Sequence, residues 1–292
     1  MPASPLFHRA ELLLGPTVME KLAATRVILF GVGGVGSWTA EALVRTGIGH
    51  VTLVDSDVIC VTNVNRQLMA TPAAVGRLKV EELATRLRSI HPAAEIVAVP
   101  RVYDLDSMND FGLGSFDYVL DAIDSLSNKL GLLMQCLELG VPVFSAMGAA
   151  CKLDASAVRV ASIWKTERCP LARRVRKRLR HHHVTGDFLC VYSEEVVPNH
   201  PVAPACGTDR CFCPRRVVGL DGQPGEAHEW CSQKAVINGS LVHVTATFGM
   251  VLSGLVIQDV IRRVGRTGSP EAQGQEGAQQ EPQAEDDAQP DP

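Results

Sequence analysis

The sequence predicts an α/β fold: a doubly wound, mostly parallel sheet with a mixed extension of that sheet in the C-terminal half. Three observations predict it. Runs rich in Val, Ile and Leu alternate with helical patterns through the first half of the chain. Such near-continuous apolar runs suit parallel strands covered by helices on both faces. The first run leads into a glycine-rich turn and a helical pattern, "RVILFGVGGVGSW" at 26–38. The second half keeps strand-like runs but loses the regular alternation. With right-handed crossovers the first half winds into a Rossmann-like sheet, and the later strands extend it.

The elements follow in order. Residues 1–20 precede the first strand and read as an N-terminal arm. Residues 21–150 form the Rossmann-like half, with strands at "RVILF" (26–30), "HVTLVD" (50–55), "EIVAV" (95–99), "DYVLDA" (117–122) and "VPVFSA" (141–146). Helical patterns separate them, notably at 35–45, 77–90 and 125–139. Residues 151–267 form the second half. Strands are expected there at 157–163 and 188–193, with a helix from Pro170 and a long Cys-, Pro- and Gly-rich loop at 198–232. Residues 268–292 carry Gln, Glu, Pro, Gly and Ala but no large apolar side chain. Such a composition cannot bury enough surface to order itself, so disorder is expected.

Composition bounds the rest. At 292 residues the chain is long enough for a large core, and 46% hydrophobic with 21% charged residues is ordinary for a globular protein. The formal net charge of -4 hides a basic cluster near residue 175 and an acidic C-terminal stretch. The N-terminus lacks a basic region followed by a long apolar core, so no signal peptide is expected. "LVHVTATFGMVLSGLVI" (241–257) carries no Asp, Glu, Lys or Arg, but it is slightly short and contains His, Thr and Ser. It reads as a buried helix, at the core or a subunit interface, rather than a membrane span. Nine cysteines without a secretory signal point to reducing cytosol, and to burial or metal binding rather than disulfides.

Gly31, Gly33, Gly34 and Gly36 sit between a strand and a helix. Glycine lets backbone N–H groups approach phosphate oxygens, and the helix N-terminus adds a positive dipole end. Asp55 closes the next strand, with Asp57 two residues on. Such an acid commonly takes the ribose hydroxyls of an adenosine. To this point NAD and ATP explain the residues equally well. "VTNVNRQ" (61–67) then adds Asn63 and Arg66, "VGRLKVE" (75–81) adds Lys79 at a helix start, and "LDAIDS" (120–125) adds Asp121 and Asp124 at a strand end. Cationic side chains stabilise charge on a transferred phosphoryl group, and a carboxylate suits Mg²⁺ bound through phosphates. A nicotinamide needs neither.

In register over residues 20–150, "GVGGVGSW", "VDSDVICVTNVNRQ", "VGRLKVE" and "LDAIDS" resemble the E1-like adenylating enzymes, the ThiF, MoeB and HesA group. The resemblance implies that Asp55 binds ribose, that Arg66 and Lys79 bind phosphates, that Asp124 holds Mg²⁺, and that Asn63 lines the pocket. It also implies a homodimer in which Arg9, in "FHRAELLLG", reaches into the partner's site. The shared reaction is attack of a carboxylate on the α-phosphorus of ATP.

"FSAMGAACKLD", "IWKTERCPLARRVRKRLR" and "HVTATFGMVLS" extend the resemblance to one branch, the tRNA threonylcarbamoyladenosine dehydratases. That branch implies activation of the threonyl carboxylate and ring closure by an internal ureido nitrogen. The family resemblance also implies that residues 151–267 are a substrate-binding and dimerisation half. The alternative is adenylation of the C-terminal glycine of a ubiquitin-like sulfur carrier, and a sulfur-relay partner belongs to the same range of expectations. Arg173, Arg174, Arg176, Lys177, Arg178 and Arg180 nearly encircle the helix after Pro170 and suit tRNA phosphates; the other reading is a solvated helix face. Cys206, Cys211, Cys213 and Cys231 are a candidate zinc set, but the paired C-x-x-C motif of the sulfur-carrier branch is missing, and free thiols are the alternative. Cys169 reads as a helix start. Cys60, Cys136, Cys151 and Cys190 read as core.

Overall fold

A computed structural model describes residues 5–200 and 238–268. The Cys-rich segment with Cys206, Cys211, Cys213 and Cys231, and the C-terminal tail, lie outside the described residues. Seven strands form one sheet: β1 (Arg26–Phe30), β2 (His50–Val54), β3 (Glu95–Val99), β4 (Tyr118–Asp121), β5 (Val143–Ala146), β6 (Val158–Ser162) and β7 (Leu189–Ser193). Their order is β3-β2-β1-β4-β5-β7-β6. All neighbours are parallel except β6 and β7, where Val158 faces Ser193 and Ser162 faces Leu189 in antiparallel register. The mixed extension expected of the second half is this pair. It continues the sheet of the first half without a break, through Phe144–Leu189 pairing.

The helices are α1 (His8–Leu14), α2 (Pro16–Ala24), α3 (Gly36–Arg45), α4 (Lys79–Ile90), α5 (Leu126–Leu139), α6 (Pro170–His181) and α7 (Val242–Gly268). The described part of the stretch expected as an N-terminal arm holds α1 and the start of α2, and α2 runs on to Ala24 with Val18 and Leu22 buried in the core. Alternate residues of β1 serve opposite faces, as a pleated strand requires. Val27 and Leu29 join one apolar cluster with α2, α3, α4 and α7, whereas Ile28 and Phe30 join a second with α5 and α6. This two-sided burial is why the strands read as continuous apolar runs.

Val242–Gly265 in α7 is long and apolar enough to cross a membrane by length and composition, yet half of its apolar window is buried. Val244, Phe248, Leu252 and Val256 are fully buried against the sheet. The Tyr118 hydroxyl donates to Asp259 at 2.8 Å and ties this helix to β4.

Strand order reverses between β1 and β4, because the chain proceeds from β1 through β2 to β3 on one side and from β4 through β5 on the other. The crevice at the C-terminal ends of these two strands is where doubly wound sheets bind ligands.

Candidate active site

A cavity of about 980 Å³ opens at that reversal. It lies at the upper end of the ~300–1,000 Å³ typical of small-molecule sites. Gly31, Gly33, Gly34 and Val35 form one wall. Gly31 has φ +85°, and a Cβ there would lie 2.7 Å from the Ala122 carbonyl oxygen. Gly36 does not line the cavity. It is buried at the start of α3, where a Cβ would collide with the Gly31 carbonyl oxygen. Its expected role as a ligand contact is therefore corrected to packing, which lets the loop close tightly onto the helix.

Asp55, Asp57, Asn63, Arg66, Lys79 and Asp124 all line the same cavity, although they come from four separate segments. Asp55 accepts from Val32 N–H and Asp57 N–H, each at 2.9 Å, so it braces the glycine loop. Lys79 is the first residue of α4, its side chain 7% exposed, and its Nζ lies 2.6 Å from Asp57 Oδ2 and 3.8 Å from Asp55 Oδ1. Burial works against its charge, but the Asp55, Asp57 and Asp124 carboxylates outweigh burial and hold its pKa above the ordinary lysine value. For Asp55 burial wins: it pushes the carboxyl up, Lys79 opposes, and the Asp57 charge adds to the rise. Arg66 Nη1 donates to the Thr62 carbonyl at 2.8 Å and to Asn65 Oδ1 at 3.0 Å, and the Cγ and Cδ methylenes of the same side chain pass beside Gly34. Asn63 lines the cavity, but its Oδ1 accepts from Cys60 N–H at 3.0 Å and so shapes the turn that carries Arg66.

Asp121 is a correction. It is fully buried beneath the cavity and does not line it. Lys129 Nζ lies 2.6 Å from Asp121 Oδ2, the Ser145 hydroxyl donates to the same oxygen at 2.6 Å, and Lys129 also donates to the Ala146 carbonyl at 3.0 Å. Asp121 Oδ1 accepts from Ile123 N–H at 3.0 Å. This network pins the ends of β4 and β5 and the loop that presents Asp124, because a buried carboxylate needs a partner. A strand-end acid looks the same in sequence whether it points up into a crevice or down into the sheet.

Three further residues are brought in that their sequence signals did not mark. Gln67 is buried at the cavity wall, and its Oε1 has no partner among the described residues. A buried acceptor left unpaired is the exception in folded proteins; its only signal was adjacency to Arg66. Lys152 and Cys151 enter through the segment after β5. Cys60 and Cys151, expected in the core, are partly exposed and line the cavity, as does Cys169 at the N-cap of α6. Cys136 and Cys190 are core as expected, and burial pushes both thiols up to about 12. No group of three or more His, Cys, Asp or Glu side chains among the described residues is placed to hold a metal. Asp124 contributes one carboxylate, which fits an ion that arrives on a triphosphate rather than one caged by protein.

The basic helix is more ordered than its sequence suggested. Ala172, Val175 and Leu179 form a buried stripe on α6, so the charges do not encircle it. Arg176 turns inward and donates to the Thr166 hydroxyl, and Arg180 stacks 5.6 Å from the Trp164 ring. Arg173, Arg174, Lys177 and Arg178 are exposed, and Arg174 reaches the cavity. Arg9 is exposed on α1 and is not part of the cavity of its own chain.

The ThiF family profile matches residues 7–281. The tRNA threonylcarbamoyladenosine dehydratase of Bacillus subtilis (strain 168) is 38% identical over 261 residues, 88% of this chain and 95% of that protein. A crystal structure of the E. coli tRNA N6-threonylcarbamoyladenosine dehydratase TcdA in complex with ATP superposes with a TM-score of 0.73 at 31% identity, over 90% of this chain and 96% of that one. The molybdopterin-synthase adenylyltransferase of Salmonella typhimurium is 34% identical over 135 residues, only 46% of this chain. The chain belongs to the ThiF family.

Proposed function

We propose that this ThiF-family chain catalyses the ATP-dependent dehydration of N6-threonylcarbamoyladenosine in tRNA to its cyclic form. The observation that carries the reading is the convergence of Gly33, Gly34, Asp55, Arg66, Lys79 and Asp124 on one cavity at the strand-order reversal. Similarity to a dehydratase along nearly its whole length supports this substrate over a sulfur-carrier protein, since similarity to the molybdopterin-synthase enzyme stops at about half the chain.

In this reading the glycine loop and the α3 N-terminus receive phosphates of ATP. Asp55 takes the ribose hydroxyls. Arg66 and Lys79 hold the phosphates and stabilise charge that builds on the α-phosphoryl group. Magnesium, where bound, would be held by Asp124 and the triphosphate and would neutralise phosphate charge. A threonyl carboxylate oxygen forms a bond to the α-phosphorus while the bond to pyrophosphate breaks. The ureido nitrogen then bonds to the acyl carbon, the acyl–AMP bond breaks, and the nitrogen loses its proton. The nucleophile belongs to the substrate, so no enzyme thioester is needed. Arg173, Arg174, Lys177 and Arg178 grip tRNA phosphates. A homodimer would bring Arg9 to the partner's cavity.

Nucleoside mass spectrometry of modified tRNA incubated with the protein and ATP tests the reaction. Loss of one water from the modified base, with AMP released, is expected. Stimulation of AMP release by a ubiquitin-like protein, and none by the modified tRNA, would overturn it.

A further inference from the structure

The cavity is lined by cationic side chains beyond the two assigned to the nucleotide. Lys79 and Arg66 stand on its β1–β2 side. Lys152 stands on the other side, in the segment after β5, and is 4% exposed. Its Nζ donates to the Ser193 carbonyl at 3.3 Å and to the Glu195 carbonyl. An ammonium has three donors, so among the described residues one is left without an acceptor. Among the described residues no carboxylate lies within ion-pair distance of it. The Glu195 carboxylate is turned aside, where its Oε2 accepts from Leu153 N–H at 2.9 Å and Asp154 N–H at 3.0 Å. Burial pushes the Lys152 pKa below the ordinary lysine value, and Cys169, Glu195 and Cys151 only partly offset it.

A buried cation without a counter-ion is costly unless an anion completes it. The cavity is the open direction, and Arg174 of α6 lines the same side. The sheet order β1-β4-β5-β7 sets this side two to three strands away from the glycine loop. That separation places a second reactant beside a nucleotide rather than on top of it.

We propose that Lys152 binds the carboxylate of the acyl substrate. One carboxylate oxygen accepts from Nζ, and the other faces the α-phosphate held from the β1–β2 side. The assignment rests on the adenylation reading above, and it gives the site a means of selecting a base that bears a carboxylate over one that does not.

The test uses the full chain, with Lys152→Gln and Lys152→Arg compared with wild type. Dehydration of modified tRNA, ATP affinity by calorimetry, and the ratio of affinities for modified and unmodified tRNA are measured. Loss of one charge-assisted hydrogen bond predicts that Lys152→Gln lowers kcat/KM about 10- to 100-fold. ATP affinity and affinity for unmodified tRNA should hold, while the preference for modified tRNA disappears. Lys152→Arg should recover part of both. If the wild type converts modified tRNA and Lys152→Gln keeps its preference and its kcat/KM, the Lys152 assignment alone is wrong. Parallel loss of ATP binding in both variants also overturns it, because Lys152 would then be structural. A wild type that fails to convert modified tRNA removes the reaction and the assignment together.

Discussion

On the β1–β2 side of the cavity, Lys79 lies against Asp55 and Asp57. On the β5–β7 side, Lys152 meets, among the described residues, only the carbonyls of Ser193 and Glu195. Both ammonium groups are buried, yet their pKa values move in opposite directions. The difference teaches what each side awaits. The first is already charge-compensated and keeps its lysine protonated, so that on the proposed reading phosphates would exchange one set of anions for another. The second is undercompensated, and an incoming anion relieves it. Between them stands Lys129, fully buried on Asp121, with no access to any ligand.

That contrast can be broken in several ways. The largest effect is expected at Lys129, where Lys129→Met leaves Asp121 buried without its cation. Removing one partner of a buried pair costs about 3–5 kcal/mol, and urea denaturation measures it. A loss under 1 kcal/mol would mean that this lysine is not the pillar between the two sides. Lys79→Ala should lower modified-tRNA-dependent AMP formation about 100- to 1,000-fold, the cost of one preorganised charge-stabilising donor. Stability should change less than in Lys129→Met, and equal loss in both would erase the distinction between a ligand-facing and a structural lysine.

Next in size is the exposed face of α6. Arg173→Ala with Arg178→Ala should make the dependence of tRNA affinity on salt shallower by roughly one to two in log–log slope. Arg176→Ala should leave that slope unchanged and lower Tm instead, since its guanidinium is engaged with Thr166. The smallest effect is in the titration of the two cavity lysines. Lys79 is raised, so its contribution to stability is full below the ordinary lysine pKa and is lost as pH rises through the raised value. Lys152 is lowered, so its cost is full below the depressed value and is relieved as pH rises through it. Side-chain NMR of labelled lysines should show Lys152 losing its proton before, and Lys79 after, an exposed lysine. The reverse order would invert the comparison.

Legibility differed along the same line. The β1–β2 side was readable because its residues sit in short motifs attached to strand ends, and β1 to β7 all fall within the runs that the apolar pattern marked. Lys79 opens α4 as its motif implied. The β5–β7 side was not readable, since Lys152 acts through carbonyls some forty residues away and backbone carbonyls carry no residue identity. Asp121 and Arg176 were misread for a related reason: which way a charged side chain turns depends on the neighbour that receives it, Lys129 in one case and Thr166 in the other.

Apolar periodicity and local turn chemistry were thus enough for the sheet, its helices and the glycine loop, because each depends on residues a few positions apart. Pairing of β7 between β5 and β6, the inward turn of Asp121, and the meeting of Lys152 with Lys79 across one cavity required the folded chain. They depend on which distant groups share a low-dielectric space, and charge compensation there is settled by distance in three dimensions rather than along the sequence.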